Sequence, residues 1–86
     1  MSTIYSYGET VYRLGSLLDT FPVAPTEDRP LLIEEIDAIF QRIKGNLTHQ
    51  QVLFLAEKAF YSIDAIEEDE RQWRVINEII DLSEIP

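Results

Sequence analysis

The chain has no cysteine, and that single absence excludes a disulfide framework, a thiolate zinc site and a thiol nucleophile. A reducing, cytoplasmic setting is the expectation that follows. Histidine is nearly absent as well. The one imidazole, His49, falls at the predicted first position of a helix, and no serine or acid flanks it in a triad-like pattern. Zinc-protease, Glu-x-x-His and EF-hand spacings are missing too. The acidic run Glu67-Glu68-Asp69-Glu70 does not replace them, because four consecutive helical residues point in four directions and do not converge on one ion. The expectation is a protein that is not an enzyme, with no cofactor, metal or catalytic residue.

Long apolar runs are also lacking. The longest extends only from Val52 to Ala56, and the start, Met1-Ser2-Thr3-Ile4-Tyr5-Ser6, has neither the basic nor the apolar region of an export signal. No membrane association is predicted. Positive charge is scarce: seven basic residues stand against sixteen acidic ones, a net charge of −9. Residues 1–44 carry four basic and seven acidic side chains, while 45–86 carry three and nine. Polyanions are held mainly by lysine and arginine, so direct nucleic-acid binding is disfavoured and a basic protein partner is favoured.

What remains is a chain of 86 residues, 45% hydrophobic with nine aromatics, enough for one modest core and one domain. No strand alternation or hairpin dipeptide occurs, and helical periodicity is strong. Tyr7, Val11, Leu14 and Leu18 form one helix face, with Ser6 and Glu9 as a capping box, predicting a helix over about 7–19. Residues 21–29, with Pro22 and Pro25, are expected to form an extended connector. Pro30 then opens a second helix of about 30–44, whose stripe is Leu32, Ile33, Ile36, Ile39, Phe40 and Ile43 and whose stop is Gly45. Thr48 and Gln51 cap a third helix of about 49–62, and Asp64 with Glu67 predicts a fourth over about 65–82. The fold class is therefore all-α, a compact four-helix bundle with short 2–3 and 3–4 connections between antiparallel neighbours.

Several residues exceed what a core needs. In the third helix Phe54 interrupts the polar stripe Gln50, Gln51, Glu57 and Lys58, and Tyr61 continues it one heptad on. Either both rings are exposed or the helix is central and wrapped by its neighbours. In the first helix Tyr5, Gly8, Tyr12 and Gly15 share a row, and glycines on one face admit a close approach, from an internal helix or from a partner. The fourth helix has two apolar rows: Trp73, Ile76 and Ile80, and Val75, Ile79 and Leu82. Arg71 and Arg74 flank the tryptophan. One row suffices for the core; the other is left for a partner, for a dimer mate or for burial by the C-terminal Ile85-Pro86 tail, and Trp with Arg is frequent hot-spot chemistry.

The partner-binding candidates are accordingly Glu67, Glu68, Glu70, Trp73, Arg74, Val75, Ile79, Phe54, Tyr61, Tyr5 and Tyr12. A helix-turn-helix reading of residues 30–62 fails for want of cations, since the third helix supplies only Lys58. Two function classes then stand: an acidic inhibitor or regulator docking on a basic protein, and a small subunit, assembly factor or homodimer that buries its surplus apolar faces.

Overall fold

The computed structural model describes residues 3–84 except Glu68; for residues 3–7 only the backbone is described. Four helices form: α1 (Thr3–Thr20), α2 (Arg29–Ile43), α3 (His49–Ser62) and α4 (Glu70–Ser83), joined by short 3-10 turns, with no strand among the described residues. This is the all-α four-helix bundle that the periodicities predict. The predicted stripes of α1 and α2 face inward, the side chain of Tyr7 lying outside the described residues. Val11, Leu14 and Leu18 of α1 meet Ile33, Ile36, Phe40 and Ile43 of α2, and α3 and α4 close the core with Leu55, Ala59 and Val75.

The helices form a ring in which α3 packs against α1 and α4, and α2 packs against α1 and α4. The side-chain pairs give the directions. Asp19 and Leu18 of α1 reach Lys58 and Ser62 of α3, while Gly15 meets Phe54, so α1 and α3 run parallel. Asp37 reaches Arg71 and Arg74 while Lys44 reaches Glu78, so α2 and α4 are parallel as well. The neighbouring α3 and α4 are antiparallel, as expected, but α2 and α3 occupy diagonal corners. The buried Ser62 hydroxyl ties the end of α3 to α1, its one proton shared between the carbonyl of Leu18 on α1 and that of Lys58 on its own helix.

Boundaries differ from expectation at four places, each for a local reason. The helix predicted to begin after Ser6 starts at Thr3, so Ser6 is not its cap: nothing in Ile4-Tyr5 breaks a helix. The connector is not extended but makes two 3-10 turns, Phe21–Val23 and Thr26–Asp28, around the extended pair Ala24 and Pro25; the φ of Pro22 suits a tight turn, and buried Phe21 anchors it. Gly45 has no positive φ, because the 3-10 turn Lys44–Asn46 continues from α2. Finally, the fourth helix does not begin near residue 65: Ile66, Glu67 and Asp69 lie outside any helix. The 3-10 turn Ile63–Ala65 ends α3, and the cap of α4 is Asp69, whose Oδ1 accepts from the amides of Arg71 and Gln72 at 2.9 and 3.2 Å. The reciprocal Thr48–Gln51 box at α3 is present as predicted.

Candidate functional site

The bundle sorts its charges. Among the described residues six of the seven cations are held in ion pairs: Arg13 with Glu35, Arg29 with Glu67, Lys44 with Glu78, Lys58 with Asp19, Arg71 with Glu34 and Asp37, and Arg74 with Asp37 and Glu78. Arg42, outside these pairs, lies on the α1–α2 side beside Thr10 and Glu35. The three cations of the second half therefore all turn toward α1 or α2. Among the described residues the exposed acids that no ion pair engages are Glu9 on α1, Glu27 and Asp28 in the turn before α2, and the larger group Glu57, Asp64, Glu70, Asp81 and Glu84 on or between α3 and α4.

The network that draws Arg71 and Arg74 inward centres on Asp37, which is 9% exposed. Burial pushes its carboxyl upward, but hydrogen bonds from Gln41, Arg71 and Arg74 outweigh that and hold it below its ordinary value. Glu78 is likewise lowered, chiefly by the hydrogen bond from Lys44 and against a smaller cost of burial. A carboxyl depressed in the folded state stabilises the protein above its unfolded pKa, and that contribution disappears as pH falls through the folded value. The stability advantage of the natural chain over Asp37→Asn should thus be full at neutral pH and shrink below about pH 4. Thermal melts across the acid range measure it; an advantage that grows on acidification would refute the network.

On the same α3–α4 side lie half of the large exposed apolar groups, Leu53, Phe60, Tyr61 and Trp73. Trp73, 53% exposed, stands in an open depression with Ile63 and Ile66, rimmed by Glu67, Asp69 and Glu70. Next to it a groove runs between the two helices. Leu53, Phe60 and Tyr61 of α3 line it opposite Ile80 of α4, and its only charged groups are Glu57 and Glu84. Trp73, Ile80 and Glu84 follow one another at 7- and 4-residue spacing, as Leu53, Glu57 and Phe60 do at 4 and 3, so both helices present one stripe to this side.

The sequence-predicted residues separate accordingly. Glu67, Glu70 and Trp73 come together in the depression, and Tyr61 joins the adjoining groove. Val75 and Ile79, named as partner-binding candidates, are instead core residues, at 0% and 1% exposure, because α4 is flanked by both α2 and α3, which cover these positions as well as Ile76 and Ile80. Arg74 is committed to Asp37 and Glu78. Phe54 is committed to α1: its ring lies against Gly15 and beneath the Lys58 ammonium, 5.0 Å from the ring centroid. Tyr12 is 71% exposed on α1, apart from the α3–α4 face. Glu68 lies outside the described residues, as does the side chain of Tyr5. Ile80 stands in the row that the sequence pairs with Trp73, whereas Leu53 and Phe60 carry no candidate signal beyond the heptad interval between them.

Among the described residues no three His, Asp or Glu side chains converge as metal ligands, and His49 is an exposed helix-start residue. No helix of the described chain is long and apolar enough to cross a membrane. No family model matches the chain, and no curated protein or solved structure proves similar to it.

Proposed function

We propose that this is a non-enzymatic docking protein, an acidic inhibitor or regulator that binds a basic protein through the outer face of α3 and α4. One observation carries the reading: every cation of the second half turns away from that face, which is left with exposed Leu53, Phe60, Tyr61 and Trp73 among unpaired carboxylates. An apolar centre inside a charged fringe of one sign is the form of surface that steers a partner of opposite sign and then holds it by desolvation. Trp and Tyr at its centre are the residue types that most often dominate such contacts.

The second reading, a subunit or homodimer that buries the same groove, draws on Leu53, Phe60 and Tyr61 alone. The net charge of −9 opposes self-association through this face.

Affinity capture from extract at low salt and at about 0.5 M salt separates the two, because exposed charges are screened beyond a few ångströms at the higher concentration. With the captured protein in hand, reversing Glu57 and Glu84 to Lys should slow association and flatten its salt dependence. Trp73→Ala should chiefly speed dissociation, by about tenfold for each 1.4 kcal/mol lost. A partner whose capture is indifferent to salt and to both substitutions would remove the proposal.

A further inference from the structure

Resting on that reading, the α3–α4 groove identifies the kind of segment that docks. We infer that it receives an amphipathic α-helix whose apolar stripe is flanked by lysine or arginine, seated between α3 and α4 as a fifth helix of the bundle. The surface is helical throughout and its backbone groups are bonded within the helices, so it has no strand edge that an extended segment could join. Its side walls are instead helix ridges. Leu53, Ala56 and Phe60 on α3 recur at 3- and 4-residue intervals, with Ile80 of α4 across from them, which is the relief into which another helix packs its own i, i+3, i+4 and i+7 residues.

Length and charge narrow the occupant. From Leu53 to Tyr61 the groove follows about 12 Å of helix axis, so two to three turns of a docked helix fill it. Among the described residues Glu57 and Glu84 are the only charged lining groups, one on each wall, and neither is in an ion pair there. A docked helix would set its flanking positions against them, so cations there are attracted and carboxylates repelled. A second copy of this chain is disfavoured on the same ground, since it would bring these acids against their own kind.

The test uses the full chain labelled with 15N and three synthetic peptides of about three turns: a leucine–lysine amphipathic helix, a scrambled peptide of the same composition, and a leucine–glutamate helix. The leucine–lysine helix should shift the amides around Leu53, Phe60, Tyr61 and Ile80 and bind at least about tenfold more tightly than either of the others. Phe60→Ala and Leu53→Ala should each weaken it about tenfold. Both residues are substantially exposed, so these variants should melt as the natural chain does, and a melt of each checks this. If the scrambled peptide binds equally, charge alone is recognised and the helix inference falls while the basic-partner reading stands. If the leucine–glutamate helix binds as well as the leucine–lysine one, the basic-partner reading falls, and with it the inference. Shifts elsewhere than the groove overturn the inference, as does a dimer in sedimentation that Phe60→Ala abolishes, which would assign the groove to a second copy.

Discussion

Replacing Arg29 with methionine is expected to cost about 3 kcal/mol, a large share of the 5–15 kcal/mol that separates a typical small domain from its unfolded state. The side chain, 15% exposed, leaves the first turn of α2 and enters the space between two connections. Nε donates to the carbonyl of Ala24 at 3.2 Å, Nη2 to Pro22 at 3.2 Å and Nη1 to Ala65 at 2.9 Å, and the guanidinium lies 5.9 Å from the centroid of the Phe21 ring. One residue thereby fastens the 21–25 turns to the chain that links α3 and α4. Bonds from a charged donor contribute about 1.5–3 kcal/mol each; the freed carbonyls are only partly buried and regain water, which brings the net loss below the simple sum of the three, to about 3 kcal/mol.

Methionine keeps most of the aliphatic volume and removes the donors, so denaturant melts of Arg29→Met isolate the hydrogen bonds. Lysine keeps the charge but offers a single nitrogen that cannot span three carbonyls, and it should recover less than half of the loss. Glu67→Gln should change stability little, since that carboxylate is half exposed and surface pairs are weak. Arg29→Lys with the stability of the natural chain would show that charge, not the fork of donors, is what matters. Because Glu67 and Ile66 border the Trp73 depression, the same clamp also fixes one wall of the proposed docking face.

Nothing in the sequence marks Arg29 for this role. Its partners are backbone carbonyls 5, 7 and 36 residues away, and a carbonyl has no residue identity to recognise. The core stripes were legible for the opposite reason: Val11, Leu14 and Leu18, or Ile36, Phe40 and Ile43, encode their burial in their own spacing. Helix ends fall between these cases. The Thr48–Gln51 box was correctly placed, whereas the signal at Asp64 and Glu67 was outcompeted by Asp69 with Gln72, an equivalent pair five residues on.

The candidate site divides along the same line. Glu67, Glu70 and Trp73 are close in sequence and meet in one depression whatever the rest of the fold does. The groove, by contrast, exists only because α3 and α4 lie side by side and antiparallel, which brings Phe60 and Ile80 to one surface across 20 residues of chain. Val75 and Ile79 were misplaced because periodicity gives the width of an apolar stripe but not the number of neighbours that cover it. With α2 on one side and α3 on the other, α4 keeps only Trp73 of its two rows largely exposed, and its cations Arg71 and Arg74 line the α2 boundary.

Gly15→Ala should lower stability by about 1 kcal/mol, although the same change at an unencumbered helix position raises it by about that amount. Gly15 is buried where α1 crosses α3, and an added Cβ would stand 2.6 Å from Cε2 and 2.8 Å from Cζ of Phe54 and 3.3 Å from Cδ of Lys58. The ring must leave its seat. In doing so it gives up its packing on α1 and its place under the Lys58 ammonium, which also reaches Asp19 at 2.6 Å. Phe54→Ala removes the obstacle, so in that background Gly15→Ala should stabilise by about 1 kcal/mol, a coupling of about 2 kcal/mol in a double-mutant cycle. The aliphatic protons of Lys58, shielded by the ring in the natural chain, should move toward ordinary shifts in Gly15→Ala alone. Gly8 supplies the control: a Cβ there meets nothing within 4 Å, and Gly8→Ala should stabilise in either background. If Gly15→Ala behaves like Gly8→Ala in the natural chain, Phe54 is not seated on α1, and its ring returns to the exposed surface of α3 as a further contact for a docked partner.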